Sequence, residues 1–512
     1  MSRPGVETYT SAAAPPVGVP TDTSVAWIVG EASQGPTDRP TRITSMDDFT
    51  STYGARIAGV ESYDALDAYF HEGGATAYFM RLADGAVLAT GDAAAIVAGN
   101  TLNAANVGAW GNGLKLDVVA TPGQVTGDSE DGGATTQDAP DQSPLLTYST
   151  PQAAAPTFMA TVSLAGKMVQ VSQPMVTRRE LSNFLQLAGY MTIEGPDDDT
   201  AIAAGSVTLA GGADGTVPVT DADALGEALA LIPRELGPGQ LLAPGRSDFA
   251  SHAAILASAA ATNRYAILDA GPTDSAASLP SMAAQLRGAD EDRYGMLWAP
   301  WAVCPGIAPG TSRTVPWSPI QAALCARNDR GGNPNQAAAG QWGQTQWVTD
   351  LTVHFTPAEC EALLYAGVDT ARTVYGSIQA YAFRSLSARD GANSEWWQAN
   401  WGRLAMAIVA DEEAGGESYV FSQMDGRGLN IAAFGGALTG PLIDFFDQGA
   451  LYADPGSTDP TTAFVVNVGP QVNTADSIAD GVLKAVISVR MSPHAELVQI
   501  YIVKQPITVS LV

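Results

Sequence analysis

The sequence predicts a mixed α/β and α+β protein of several domains. Three observations carry that reading. A chain of 512 residues is longer than a single core organises, and allows roughly two to four domains. Between residues 220 and 305, strand-like apolar runs alternate with helical patterns, which implies a mostly parallel sheet. Between 158 and 210 the runs are short and β-like, "FMATVSL", "KMVQVSQ" and "SVTLAGG", which fits a small β-rich insert.

The first two dozen residues read as an arm. "GVETYTSAAAPPVGVP" joins a short extended stretch around Val6, Thr8 and Thr10 to a Pro- and Gly-rich run, and has too few large apolar residues to fold alone. "SVAWIVGEA" (24–32) is a buried strand. "SMDDFTSTYG" carries a capping box, Ser45 with Asp48, and a stop at Gly54. "SYDALDAYFHEGG" sets Leu66, Tyr69 and Phe70 on one helical face and ends at Gly73 and Gly74. "TAYFMRLA" (76–83) closes a strand–helix–helix–strand unit. Residues 86–105 are small and Ala-rich, and "GAWGNGLKLDVV" (108–119) is a Gly turn feeding an alternating strand.

From 121 to 157 the chain is polar, acidic and nearly free of large apolar groups, which reads as an exposed loop or mobile insertion. Then "TDADALGEALALI" is a helix, "QLLAPG" a strand, "DFASHAAILASAAATN" a helix, "RYAILDAG" a buried strand, "SAASLPSMAAQLRG" a helix and "YGMLWAPWAVC" a further strand. "TPAECEALLYAGV" (356–368) is a helix, followed by a long α+β stretch. "DGRGLNIAAFGG" and "PLIDFFDQGAL" read as two short helices, with Pro441 starting the second and Gly449 stopping it. The last residues alternate as a half-buried strand. Val498, Ile500, Ile502 and Lys504 point one way, Leu497, Gln499, Tyr501 and Val503 the other; beyond Pro506, Ile507, Val509 and Leu511 share a face. No turn brings a partner strand back, and an unpaired strand is either covered or used.

Composition excludes some partners. With 25 basic and 53 acidic residues the net charge is −28, the opposite of a nucleic-acid footprint and repulsive to anionic membranes. No apolar run reaches the roughly 18 residues of a membrane span, and "MSRPGVETYT" has no apolar core of a signal peptide. Cys304, Cys325 and Cys360 have neither disulfide nor zinc spacing, so they read as buried free thiols, consistent with assembly in a reducing cytoplasm.

Catalytic parts are missing. His71, His252, His354 and His494 lack a ligand partner one helical turn away, and no activated-serine motif occurs. A triad from His252, Asp269 and some serine exists only on paper. "LAGGADGT" (209–216), with Asp214, reads as a turn because no Walker lysine follows, and "PDDDT" (196–200) as a solvated one. The aromatics of "WAPWAVC" and "SEWWQANWGRL" read as core or interface. No catalytic, cofactor or metal site is expected, so the balance favours an assembly protein.

Several of these stretches, in this order, resemble the sheath proteins of contractile phage tails. "RPGVE" opens many of them. "GEASQGPTDRPTRITSMDDFTSTYG" is similar to their strand, GP turn and "ITS-x-x-DF-x-x-x-YG" helix. "YFHEGGATAYFMRLA", "GAWGNGLKLDV", "LAGGADG" and "VPWSPIQAALCARNDRGGNPNQAAAG" resemble four further family blocks. "RYAILDAG" and "YGMLWAPWAVC" look like strands of the sheath domain called subtilisin-like for its shape, not for proteolysis. The family's "GARTL" is replaced here by something like "YGSIQAYAFRSL", and its "VFEPN" is reduced to "YVFSQMD" (419–425).

The resemblance implies an interlocking arm (1–23), a discontinuous core domain (24–85 plus 346–495), a β-rich outward-facing insert (86–205), a subtilisin-like-shaped α/β domain without catalysis (206–345) and an interlocking C-terminal strand (496–512). It implies a homopolymer of stacked rings or a helix around an inner tail tube, joined to baseplate and tail terminator proteins. Assembly would take place in the host cytoplasm, and contraction would drive the tube through the host envelope. A phage-tail-like injection system is the near alternative, and a hydrolase the distant one. Val6, Thr8, Thr10, Ile507, Val509 and Leu511 would form the inter-subunit strands. Asp425, Arg427, Asp444 and Asp447 would face the tube.

Overall fold

The computed structural model describes residues 22–121, 156–196, 198–331, 333–391, 393–502 and 504. The chain divides into two units. One holds residues 1–32, 38–82 and 218–512; the other holds 33–37 and 83–217.

The first unit is organised by an eight-stranded sheet. Its order is Ser377–Ala380, Asp369–Val374, Gly295–Ala299, Tyr265–Asp269, Gln240–Leu242, Val25–Glu31, Thr76–Leu82 and Thr41–Ile43. The six inner strands run parallel, and the two outer strands pair antiparallel to their neighbours. The sheet thus draws strands from 24–85, 206–345 and 346–495 alike. Both faces are covered, which is why "VAWIVG" is buried throughout rather than alternately. Ala26 and Ile28 pack toward helices Ser62–His71 and Trp317–Arg330. Trp27 and Val29 pack toward helices Ala222–Ala230, Phe249–Thr262 and Leu279–Leu286. At Gly30 a Cβ would sit 2.2 Å from Ser62 Oγ, so only glycine lets that helix approach.

Most elements of the first unit fall where expected, but several differ. Ser45 caps helix Met46–Tyr53 through the Asp48 amide, but the Asp48 carboxylate reaches one residue further back, to the Thr44 amide and hydroxyl. The expected strand "YGMLWAPWAVC" is two. Gly295–Ala299 lies in the central sheet, while Ala302–Pro305 pairs antiparallel with Ser312–Val315 and Asp350–Leu351. Pro300 falls between them, and it has no N–H with which to continue a ladder. The helix Trp317–Arg330 was not legible as an element.

The two expected short helices are one, Leu429–Asp447, with Pro441 inside it. Pro441 removes one amide from the helical ladder, and the helix continues through it to Asp447. By length and composition this is the one described helix able to cross a membrane, although no uninterrupted apolar run of that length was expected. Its Leu442 and Phe445 pack with Leu404 and Ile408 of helix Ala399–Glu417 and with Phe464, as a core helix does. Phe464–Asn467 and Val486–Val489 form a separate two-stranded antiparallel sheet beside this helix pair.

The second unit contains two antiparallel sheets. One orders Gly205–Thr208, Leu114–Thr121, Thr157–Leu164 and Lys167–Val171; the other orders Thr90–Asp92, Thr101–Ala104 and Met191–Glu194. Leu114, Leu116 and Val118 alternate inward onto its core. Helix Arg178–Ala188 was missed in the sequence, although Thr177 and Glu180 form a complete capping box. Of the acidic stretch expected as a loop at 121–157, residues 122–155 lie outside the described residues, and its ends differ from the expectation: Thr121 closes one strand and Thr157 opens the next, paired with each other. "LAGGADGT" is a turn region: Gly211 and Gly215 have positive φ, and the Asp214 carboxylate accepts the Ala109 amide at 2.7 Å.

Candidate interaction site

The chain end is fastened to the first unit and then let go. The Ser492 carbonyl accepts from Asn335, Asn400 and Trp401 side chains at 3.0–3.2 Å. Gln398 reads the His494 backbone both ways, its Oε1 accepting from the amide and its Nε2 donating to the carbonyl, each at 3.2 Å. Arg384 grips the Glu496 carboxylate through Nε at 2.8 Å and Nη2 at 2.5 Å, and its guanidinium lies 5.0 Å from the Trp397 ring. Beyond Glu496 the segment takes no place in any sheet among the described residues. Leu497, Val498, Ile500, Tyr501 and Ile502 are exposed by 74, 74, 79, 83 and 93%. Among the described residues no strand pairs with this segment, and both of its faces are bare from Leu497 to Ile502. Val6, Thr8, Thr10, Ile507, Val509 and Leu511 lie outside the described residues.

Burial alone would raise the Glu496 carboxyl, but hydrogen bonds and charge from Arg384 and His494 outweigh it and hold the group down to about 2, against an ordinary 4.5. A depressed carboxyl stabilises the folded contact above pH 4.5, and that stabilisation is lost as pH falls toward 2. Amide exchange at 494–496, corrected for intrinsic rate, should accelerate across that window. A Glu496→Gln chain should not change there; an unchanged wild-type profile would contradict the assignment.

At its other end the chain enters the first unit through Thr23. Its hydroxyl donates to Asp329 at 2.8 Å and its carbonyl accepts from Gln240 Nε2 at 3.1 Å. Asp329 is itself held by Arg403 Nη2 at 2.6 and 2.7 Å.

The four charged residues expected on a contact face belong to one helix and the turn before it. Asp425 is used locally: it accepts the Leu429 amide and Arg427 Nε, both at 3.0 Å. Asp444 and Asp447 are exposed, one turn apart, away from the buried Leu442 and Phe445. Neither is in an ion pair among the described residues. The structure thus brings together Asp444 with Asp447 and Asp425 with Arg427, and separates the two pairs by about 20 Å of helix rise.

Beside the helix pair, a groove of about 480 Å³ opens against strand Val486–Val489. Ile408, Val409, Phe434, Leu438, Ile487 and Val489 make it apolar. The two-stranded sheet has free outer edges among the described residues, with Val465 and Val486 exposed. So small a sheet is marginal alone. Glu412 also lines the groove, its carboxylate oxygens buried without a hydrogen-bond partner among the described residues. Nothing in the sequence distinguishes it from its neighbours Asp411 and Glu413.

The paper triad does not form. Ser318 binds the buried Asp269 carboxylate directly, through its amide at 2.7 Å and its hydroxyl at 2.5 Å. The His252 ring faces the backbone carbonyls of Arg246 and Asp269 at 2.9 and 3.1 Å. The His252 imidazole does not stand between Asp269 and Ser318, so these three residues do not form a triad. Burial pushes Asp269 up to about 6 and His252 down. No group of three metal-ligating side chains occurs among the described residues.

No protein-family model matches the sequence, and no curated protein matches it. Solved structures do. The sheath tail protein of Desulfitobacterium hafniense is 17% identical, with a TM-score of 0.52 over 91% of this chain and 93% of that one. The sheath tail protein of Listeria innocua is 14% identical, with a TM-score of 0.57 over 89% and 90%. The helical sheath of the anti-feeding prophage, in its contracted state, is 16% identical, with a TM-score of 0.54 over 99% and 100%. The chain has the tail sheath fold. Within that fold, the fastened chain end, the two-stranded sheet and its groove all belong to the first unit.

Proposed function

We propose that this protein is the structural subunit of a contractile tail sheath. In this reading it polymerises around an inner tube, between a baseplate and a terminator, and contracts to drive the tube through a target envelope. The energy lies in two packings of the same folded subunit, and no cofactor, nucleic acid or membrane is required. The observation that carries this is the end-to-end agreement with a contracted sheath, over 99% of this chain and 100% of that one. The phage tail is the first reading, assembled in the host cytoplasm as part of the virion. The sheath of an injection system is the second, favoured by that coverage against 91% and 93% for the Desulfitobacterium protein. Negative-stain microscopy of the purified protein tests both: hollow striated cylinders support a sheath, and dispersed particles under all assembly conditions argue against one.

Residues 206–345 supply the subtilisin-like shape in this reading, and the Asp269–Ser318 contact supports a non-catalytic role. The terminal segments leave their own subunit and add to a neighbour's sheet. The exposed row from Leu497 to Ile502 and the free edges of the two-stranded sheet support that exchange. Asp444 and Asp447 face the tube. Asp444→Lys with Asp447→Lys should leave the unfolding midpoint unchanged and lower the yield of sheathed tubes severalfold. Normal yield would remove these residues from the tube contact.

The β-rich insert, residues 86–205, faces outward in this reading. Replacing 122–155 with a short Gly/Ser linker should leave contractile particles, counted in micrographs before and after triggering. Loss of all polymer would assign the segment to the lattice.

A further inference from the structure

We infer that the groove between helices Ala399–Glu417 and Leu429–Asp447 and strand Val486–Val489 receives residues 498–504 of a second copy of this chain, with that copy's Lys504 paired to the Glu412 carboxylate. This rests on the strand-exchange reading and specifies its partner and register. The first observation is the orphaned carboxylate. Both Glu412 oxygens are buried in an apolar groove with no hydrogen-bond partner among the described residues, an arrangement that is costly unless a cation or donor arrives. Burial pushes the group up to about 8, with Asp411 adding to the shift, so the free subunit holds it largely protonated at neutral pH.

The second observation is the shape of the incoming segment. At strand spacing, Val498, Ile500, Ile502 and Lys504 share one face, three apolar groups followed by one cation. The groove offers an apolar wall and one buried carboxylate. Lys504 is the sole charged residue between 497 and 512, in a chain with 25 cations against 53 acids. The third is length. Residues 498–504 extended span about 20 Å, as does the run from Ala485 to Met491, whose alternate residues Ala485, Ile487, Val489 and Met491 line the groove. A strand added along the free edge of Val486–Val489 would cover the groove and bury a row that is bare in the single chain. A one-residue slip would turn Lys504 away from Glu412 and present Gln499 and Tyr501 instead. The charge pair therefore fixes the register.

The full-length chain tests this. Lys504→Glu changes an exposed residue, so folding should be intact by circular dichroism and gel filtration; Glu412→Lys is checked the same way, with Glu412→Gln as the conservative second variant. Lys504→Glu should lower the amount of sedimentable polymer at least tenfold, and Glu412→Gln should lower it by less. Combining Lys504→Glu with Glu412→Lys should restore it to within about threefold of wild type. Mixing the two single variants should also restore it, because each tail then meets the complementary groove of the other copy. Rescue by the double variant but not by mixing would overturn the second-copy assignment in favour of the chain's own tail. Normal polymer from Lys504→Glu, while a chain lacking 497–512 forms none, would overturn the charge pair and leave strand exchange standing. Polymer from the shortened chain would overturn strand exchange itself.

Discussion

A chain ended at Glu496 should fold, stay monomeric and build no cylinders. The fastening contacts stop at that residue: Gln398 holds the His494 backbone and Arg384 holds Glu496. The residues removed include five large side chains that touch solvent over most of their surface, so the monomer loses little packing. In the polymer each such side chain is worth about 1.5–3 kcal/mol when fully buried, and a row of them along a shared edge adds main-chain hydrogen bonds. Differential scanning calorimetry should give the same unfolding temperature for both chains, while sedimentation and micrographs should separate them completely. Cutting before Pro20 should act alike, because the fastening at that end begins with Asp22 and Thr23. Cylinders of normal length from either shortened chain would mean that the removed strand is not a link.

The largest loss of subunit stability should come from Asp329→Ala. Asp329 and Arg403 pair with 2% and 0% of their side chains exposed, joining helix Trp317–Arg330 to helix Ala399–Glu417. Removing one partner leaves the other as an unpaired buried charge, which costs about 3–5 kcal/mol. It also takes away the acceptor of the Thr23 hydroxyl, so the root of the N-terminal arm loosens at the same time. Exchanging both residues for apolar ones of similar volume, Asp329→Leu with Arg403→Met, should cost less than the single change. Urea denaturation measures each. A loss below about 1 kcal/mol for Asp329→Ala would show that water reaches this pair.

How far the sequence could be read depended on whether an element has two distinguishable sides or clear punctuation. Helix Pro357–Ala366 has Thr356 and Glu359 as a capping box and Gly367 as its stop, and it stood out. Helix Trp317–Arg330 is buried over ten consecutive residues, so it has no polar stripe from which to read a period. Pro441 looked like a start because proline favours the first helical turn, whereas the helix runs on through it. At the candidate site, the alternation of 497–504 was plain, but its bareness was not, since local pattern cannot say whether a partner strand lies in the same chain. The contacts of Arg384 with Glu496 and of Gln398 with His494 join residues 112 and 96 apart in sequence, beyond any local rule. The orphaned Glu412 is invisible for the same reason. The sheath resemblance survived in the order of short motifs because backbone paths persist at 13–17% identity after most side chains have changed.

The three buried cysteines have a consequence for durability. Cys304, Cys325 and Cys360 are all free and buried, and burial pushes the Cys304 and Cys325 thiols up to about 12 and 11. Exchange and oxidation proceed through the thiolate, and at those two positions almost none exists at neutral pH. A particle released into air-saturated water would then age without covalent bonds forming through Cys304 or Cys325. It would keep its freedom to fire after long storage with no reductant added. In the native protein Cys304 and Cys325 should be nearly silent toward a thiol-reactive dye, and these two should react only when the chain unfolds.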